Sequence, residues 1–168
     1  GGEGRVDRHA QAGGDARDVP FHCTIGLAER FADHLDDPVA THEIAADVEP
    51  GSVRVLMHSL AFGTLKPFVA ADDAGSMTME QMDMTLTVMA HSLVYWAQGL
   101  VRRGLMGQGG RIYAMTSSGG DRVIPSYGAV SAAKASLESH CRQLALELAP
   151  YGITANSIRA GVTDTPAL

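Results

Sequence analysis

The chain has 168 residues, 45% of them hydrophobic and 19% charged, with a formal net charge of -6 and a sequence pI near 5.5. That size supports one domain with a hydrophobic core, and the acidic balance leaves no basic surplus to neutralise phosphates, which excludes nucleic acid as the main partner. No apolar run reaches the roughly 18–20 residues that a membrane span needs, and the first residues lack the apolar core of a secretory signal, so no membrane partner and a cytoplasmic setting are expected.

Residues 1–18 are rich in Gly, Asp and Arg without periodicity and read as flexible. Residues 19–168 read as a single domain. The apolar stretch 19–24 reads as a strand. Residues 26–38 read as a short amphipathic helix, with Leu27, Phe31 and Leu35 on one face and Pro38 at its end. Residues 39–51 are acidic and ambiguous.

The pattern then sharpens. Residues 53–61 (VRVLMHSLA) form a compact apolar run, expected for a strand buried on both faces. A loop follows, and Thr78 with Gln81 three residues on predicts a capping box. The helix it opens is expected to run to about Arg103, because Met82, Leu86, Met89, Leu93, Trp96 and Leu100 make a stripe at helical period. The glycines at 104–110 supply a turn. Residues 111–117 read as a strand, 126–150 as a helix with Val130, Leu137, Leu144 and Leu148 on one side, and 153–160 as a third strand. Strands alternating with long helices predict a parallel α/β sheet. Ligands of such sheets bind beyond the carboxyl ends of the strands, which singles out the loops 60–68, 117–127 and 160–168.

In those loops, Tyr127 and Lys134 stand seven residues apart at a helix start, about two turns, so both side chains share a face. An ammonium beside a phenol favours the phenolate, which makes the tyrosine a better proton donor or oxyanion stabiliser near neutral pH. Taken alone, such a pair also fits a packed tyrosine and a solvated lysine. Cys23 and Cys141 match no metal or redox spacing, and the seven histidines match no ligand motif, so no metal site is expected.

The neighbouring segments carry the reading further. HSLAFG (58–63), GGRIYAMTSSGG (109–120), YGAVSAAKASLE (127–138), LALELAPYGITANSIRAG (144–161) and TDTPAL (163–168) resemble, in order and spacing, the short-chain dehydrogenase/reductase superfamily. The Tyr-x6-Lys separation, the HSLAF segment and the apolar Met89 are similar to its divergent enoyl-acyl carrier protein reductase branch.

That resemblance implies a Rossmann-like three-layer αβα fold and NADPH- or NADH-dependent reduction of an enoyl thioester carried by acyl carrier protein or CoA. Tyr127 would stabilise and protonate the enolate oxygen, Lys134 would hold the nicotinamide ribose, and Ser117 would complete the catalytic set. Ser59, Leu60 and Ala61 would line the cofactor at a strand end, with Thr116 and Ser117 beside the nicotinamide. Gly161, Val162 and Thr163 would approach the carboxamide and Thr165 a phosphate. Phe62, Met115 and Ser118 would line the acyl pocket. A homodimer or homotetramer through the helices at 79–103 and 127–149 is also implied, with Tyr95, Trp96, Cys141 and Ala145 as contacts.

Two departures accompany the resemblance. Ser117 stands where several relatives carry a second tyrosine, which leaves a 3-ketoacyl or carbonyl reductase as the alternative. No G-x-G-x-x-G or G-x-x-x-G-x-G turn occurs between a strand and a helix, although a dinucleotide's pyrophosphate needs backbone N–H groups there. The expected fold is therefore partial, without its first strand and Gly-rich loop; the chain is expected to bind dinucleotide weakly or not at all, and a non-catalytic remnant is a further alternative.

Overall fold

The computed structural model describes Ala46 and residues 48–161. The readings at 1–18, 19–24 and 26–38 lie outside the described residues, as do Cys23, Val162, Thr163 and Thr165.

Among the described residues three parallel strands form one sheet in the order β1 (Val55–His58), β2 (Arg111–Thr116), β3 (Thr154–Arg159). Val55 lies opposite Arg111 and His58 opposite Ala114, and the second ladder runs from Arg111 opposite Thr154 to Thr116 opposite Arg159. Between β1 and β2 run α1 (Met79–Leu86), a π turn (Thr87–His91) and α2 (Ser92–Arg102). Between β2 and β3 runs α3 (Gly128–Leu148). The strands advance in one direction across the sheet, so crossovers of one hand put both helical connections on the same face.

The core lies between that face and the helices. Ile112 and Ala114 of β2 are fully buried there, packed with Met89, Leu93, Ala97 and Leu100 and with Val130, Ala133, Leu137 and Leu144. The expected stripes are the buried ones, apart from half-buried Met82 and Leu86 near the helix start. β1, expected to be buried on both faces, is not. Val55 is 38% and Met57 56% exposed, because they point away from the helices. The described residues thus supply two of the three expected layers.

The predicted capping box is present: Thr78 Oγ1 accepts from Gln81 N, and Gln81 Oε1 accepts from Thr78 N, both at 3.2 Å. The single helix expected to reach Arg103 is interrupted by the π turn. There Ser92 N donates back to the Thr87 carbonyl, five residues earlier, and Ser92 Oγ donates to the Val88 carbonyl at 2.7 Å. Hydroxyls bonded back along a helix disturb its ladder, and Thr85 Oγ1 does the same to Gln81 O at 2.7 Å. The extra residue re-aims the side chains that follow. His91 Nδ1 meets His140 Nε2 of α3 at 3.0 Å, and Ser92 meets His58 under the sheet. At the end of α2, Gly104 takes φ 67°, a left-handed turn that glycine adopts without strain.

Candidate active site

Lys134 projects from the second turn of α3 toward the carboxyl ends of β1 and β2. Its Nζ donates to the Met115 carbonyl at 2.8 Å and to the Leu60 carbonyl at 3.3 Å. Just 7% of the residue is exposed, and burial pushes its pKa below the usual lysine range. An ammonium carries three N–H donors, so one remains for a ligand hydroxyl.

Tyr127 is the N-cap residue of α3, at the helix start as expected. Its N–H donates to the Ile124 carbonyl at 3.1 Å, and its own carbonyl accepts from Ser131 N at 2.8 Å. The residue before it, Ser126, has φ 59°. A left-handed conformation costs an L-residue roughly 1–2 kcal/mol, and such strain clusters at functional sites. The Tyr127 ring packs over Gly119, leaving no room there for a Cβ. Ser117 caps the turn Ser118–Gly120, its Oγ accepting from Gly119 N at 3.3 Å. Ser117 and Tyr127 therefore converge on one glycine. The hydrogen bonds of Lys134 go to the two carbonyls and not to the phenol.

The remaining expected site residues fall into two groups. Ser59, Ala61 and Gly161 are exposed at the strand ends, with Leu60 half-buried among them. Met115 and Ser118 are half-buried and Phe62 is 57% exposed. Thr116 is the exception: its side chain faces α3, its hydroxyl donates to Glu138 Oε1 at 2.7 Å, and the residue is 6% exposed. Glu138 also lies 3.6 Å from Arg159 Nη2, while Arg159 Nη1 bonds Asp121 at 2.8 Å, which ties the end of β3 to the loop beside Ser117.

Sequence reasoning missed two participants. Phe68 packs its ring against Gly128, next to Tyr127; nothing in its spacing marks it. His58 lies at the end of β1, 3% exposed, with Nε2 2.7 Å from Ser92 Oγ. Its pKa is lowered from 6.5 to about 4, first by burial and then by the Lys134 ammonium. Its place inside HSLAF was the available signal.

The fold and site define a class: a parallel, Rossmann-like α/β domain with a tyrosine and a buried lysine at the strand ends. The family model described as Enoyl-(Acyl carrier protein) reductase matches residues 7–168, and the chain belongs to that family. Among individual relatives, enoyl-(acyl-carrier-protein) reductase (NADH) FabI of Synechocystis is 32% identical over 154 residues, covering 88% of this chain and 55% of that protein. The 1-cyclohexenylcarbonyl-CoA reductase of Streptomyces collinus is 38% identical over 87 residues, 52% of this chain and 30% of that one. The Bacillus cereus enoyl-acyl carrier protein reductase, solved with NADP+ and indole naphthyridinone, superposes with a TM-score of 0.63 at 28% identity over 77% of this chain and 48% of that one. The chain thus spans about half the length, or less, of these relatives.

Proposed function

We propose that the chain is the catalytic portion of an NAD(P)H-dependent reductase acting on an enoyl thioester. The observation that carries this reading is the meeting of Tyr127 and Ser117 over Gly119, beside a buried Lys134 that spans the ends of two parallel strands. The residues fit a nicotinamide cofactor: Lys134 keeps one donor for a ribose hydroxyl, and exposed Ser59, Ala61 and Gly161 leave backbone open to a ligand along the rim. When bound, the cofactor supplies the hydride.

The chain's own residues do the rest. The Tyr127 hydroxyl donates to the oxygen that gains charge as hydride adds to the β-carbon, and then gives up its proton. Lys134, held by the Met115 and Leu60 carbonyls, keeps its ammonium at the strand ends beside that site. Ser117 offers a second hydroxyl to the same oxygen. The loops after β1 and β2 expose Phe62, Leu65, Phe68, Val123 and Ile124, an apolar rim suited to an acyl chain. We further propose a thioester carried by acyl carrier protein or CoA and a cytoplasmic setting. Among the described residues no helix is long and apolar enough to cross a membrane.

Self-association through the long helices belongs to the same reading. Two of the expected contacts are otherwise engaged, since Trp96 and Cys141 are buried within the chain. Half-buried Tyr95 and Ala145 with 71% exposed Leu146 remain as the outward surface. Sedimentation checks this; a monomer at all concentrations removes it.

The short hydroxyl of Ser117 favours one second reading, a carbonyl reductase using the same tyrosine and lysine. Turnover of crotonyl and acetoacetyl thioesters with NADH and NADPH separates the two. Under either reading, Tyr127→Phe lowers turnover by roughly 10²–10⁴-fold. An unchanged rate in that variant, or no turnover of either substrate by the parent, rejects the assignment.

A further inference from the structure

The last paired residues of β1 and β2 are His58 and Ala114. Beyond them the strands fork. Met115 and Thr116 continue their pairing with Ile158 and Arg159 of β3, whereas residues 59–61 leave the sheet. Lys134 sits in the fork, with one hydrogen bond to each arm. The Met115 arm is held by the β2–β3 ladder. Among the described residues no strand pairs with the Leu60 arm, which is held instead by side chains.

Two side-chain pegs hold that arm. On one side of Leu60, His58 Nε2 meets Ser92 Oγ at 2.7 Å. Ser92 spends its own hydrogen on the Val88 carbonyl, so the serine accepts, the imidazole donates, and the tautomer with the proton on Nε2 is set. On the other side, Thr64 N donates to Thr85 Oγ1 at 3.1 Å, and that hydroxyl donates to the Gln81 carbonyl. Both pegs end on hydroxyls already bonded to the same helical connection, and residues 59–63 hang between them. A leucine in place of His58 would pack in this apolar setting at lower cost, since Nδ1 is buried with no partner among the described residues. Keeping an imidazole there calls for a reason beyond packing.

We propose that His58 is the positioning residue for Lys134, pegging the end of β1 to α2 so that the Leu60 carbonyl meets the ammonium. Its effect on turnover rests on the reductase reading; its effect on Lys134 does not. An imidazole that stays neutral fits this task, because it adds no second cation beneath the ammonium.

The sequence has two lysines, Lys66 and Lys134, so the exposed-loop Lys66 serves as an internal reference for amine reactivity. The test follows reductive methylation of both lysines by peptide mass spectrometry in the full chain, with thermal unfolding measured alongside. In His58→Leu, labelling of Lys134 relative to Lys66 rises roughly tenfold, the equivalent of about 1.4 kcal/mol. His58→Gln, which keeps a side-chain donor for Ser92, holds it near the parent value. Ser92→Ala leaves the ring in place but removes its acceptor; it reproduces the rise and keeps the test decisive should His58→Leu not fold. Unchanged labelling in His58→Leu and Ser92→Ala, or an equal rise in His58→Gln, overturns the proposal. With a thioester substrate, kcat falls in His58→Leu at unchanged KM and recovers in His58→Gln. A parent without turnover rejects the reductase reading and leaves the labelling result to decide the role of His58.

Discussion

The ring of Tyr127 lies against Gly119 so closely that a methyl group on the glycine would overlap it. The same glycine donates its N–H to Ser117 Oγ, so one residue sets the spacing of two candidate catalytic hydroxyls. Gly119→Ala must push the phenol outward. A displacement of about 1 Å in a reacting group can cost 10²-fold in rate, and a loss of that order is expected in kcat. Half-buried Tyr127 has room to move, so the unfolding temperature should shift little. Comparing turnover with thermal unfolding checks this, and an alanine variant with parent kcat contradicts it.

Acid destabilisation has a defined window. Folded His58 stays neutral down to about pH 4, whereas in the unfolded chain it takes a proton below 6.5. Between those values the unfolded state binds the additional proton, so stability is complete above about pH 6.5 and falls as pH drops toward 4. At about 1.4 kcal/mol per pH unit the loss is roughly 3 kcal/mol. His140, whose pKa is lowered by burial and by His91, acts in the same direction. Urea unfolding at a series of pH values measures the slope, and His58→Gln should flatten most of it.

The network around Glu138 separates a half-buried interaction from a solvated one. Glu138→Leu leaves the buried Thr116 hydroxyl without its acceptor and Arg159 with one carboxylate fewer. The expected loss is about 1–3 kcal/mol. Asp121→Asn touches just the Arg159 pair, where both side chains are about half exposed, and should cost less than Glu138→Leu, because solvent screens the pair. Chemical denaturation of the two variants tests the order, and equal losses would contradict it.

Gly63 offers a fourth test. A Cβ there would lie 2.8 Å from Met89 Sδ and 2.9 Å from both Thr85 Cγ2 and Val130 Cγ2. The crowding falls where the 59–63 segment crosses the helical connection. Gly63→Ala should cost about 1–3 kcal/mol and should loosen the Thr64–Thr85 hydrogen bond at the same time. Hydrogen exchange at the Thr64 amide is the direct measurement; protection equal to the parent's rules this out.

Much was legible beforehand because it depends on short-range pattern. The Thr78 capping box, the seven-residue spacing of Val130, Leu137 and Leu144, and the strand at 111–116 follow from local propensity and periodicity, and each is present. The π turn was not legible. It arises where Thr85 and Ser92 hydroxyls bond back to the helix while also serving Thr64 and His58, partners 21 and 34 residues away. The exposure of Val55 and Met57 was equally hidden, since an apolar run does not record on which face the helices lie.

By itself, the sequence determined the alternation of strands and helices, the family, and the candidacy of Tyr127, Lys134 and Ser117, because these rest on residue type and spacing along the chain. Tertiary structure alone decided that Lys134 bridges a fork between two strands, that Thr116 turns away to Glu138, that His58 meets Ser92, and that the Tyr127 ring packs on Gly119. Those outcomes depend on which distant backbone groups need partners once water is excluded, and no local pattern encodes that.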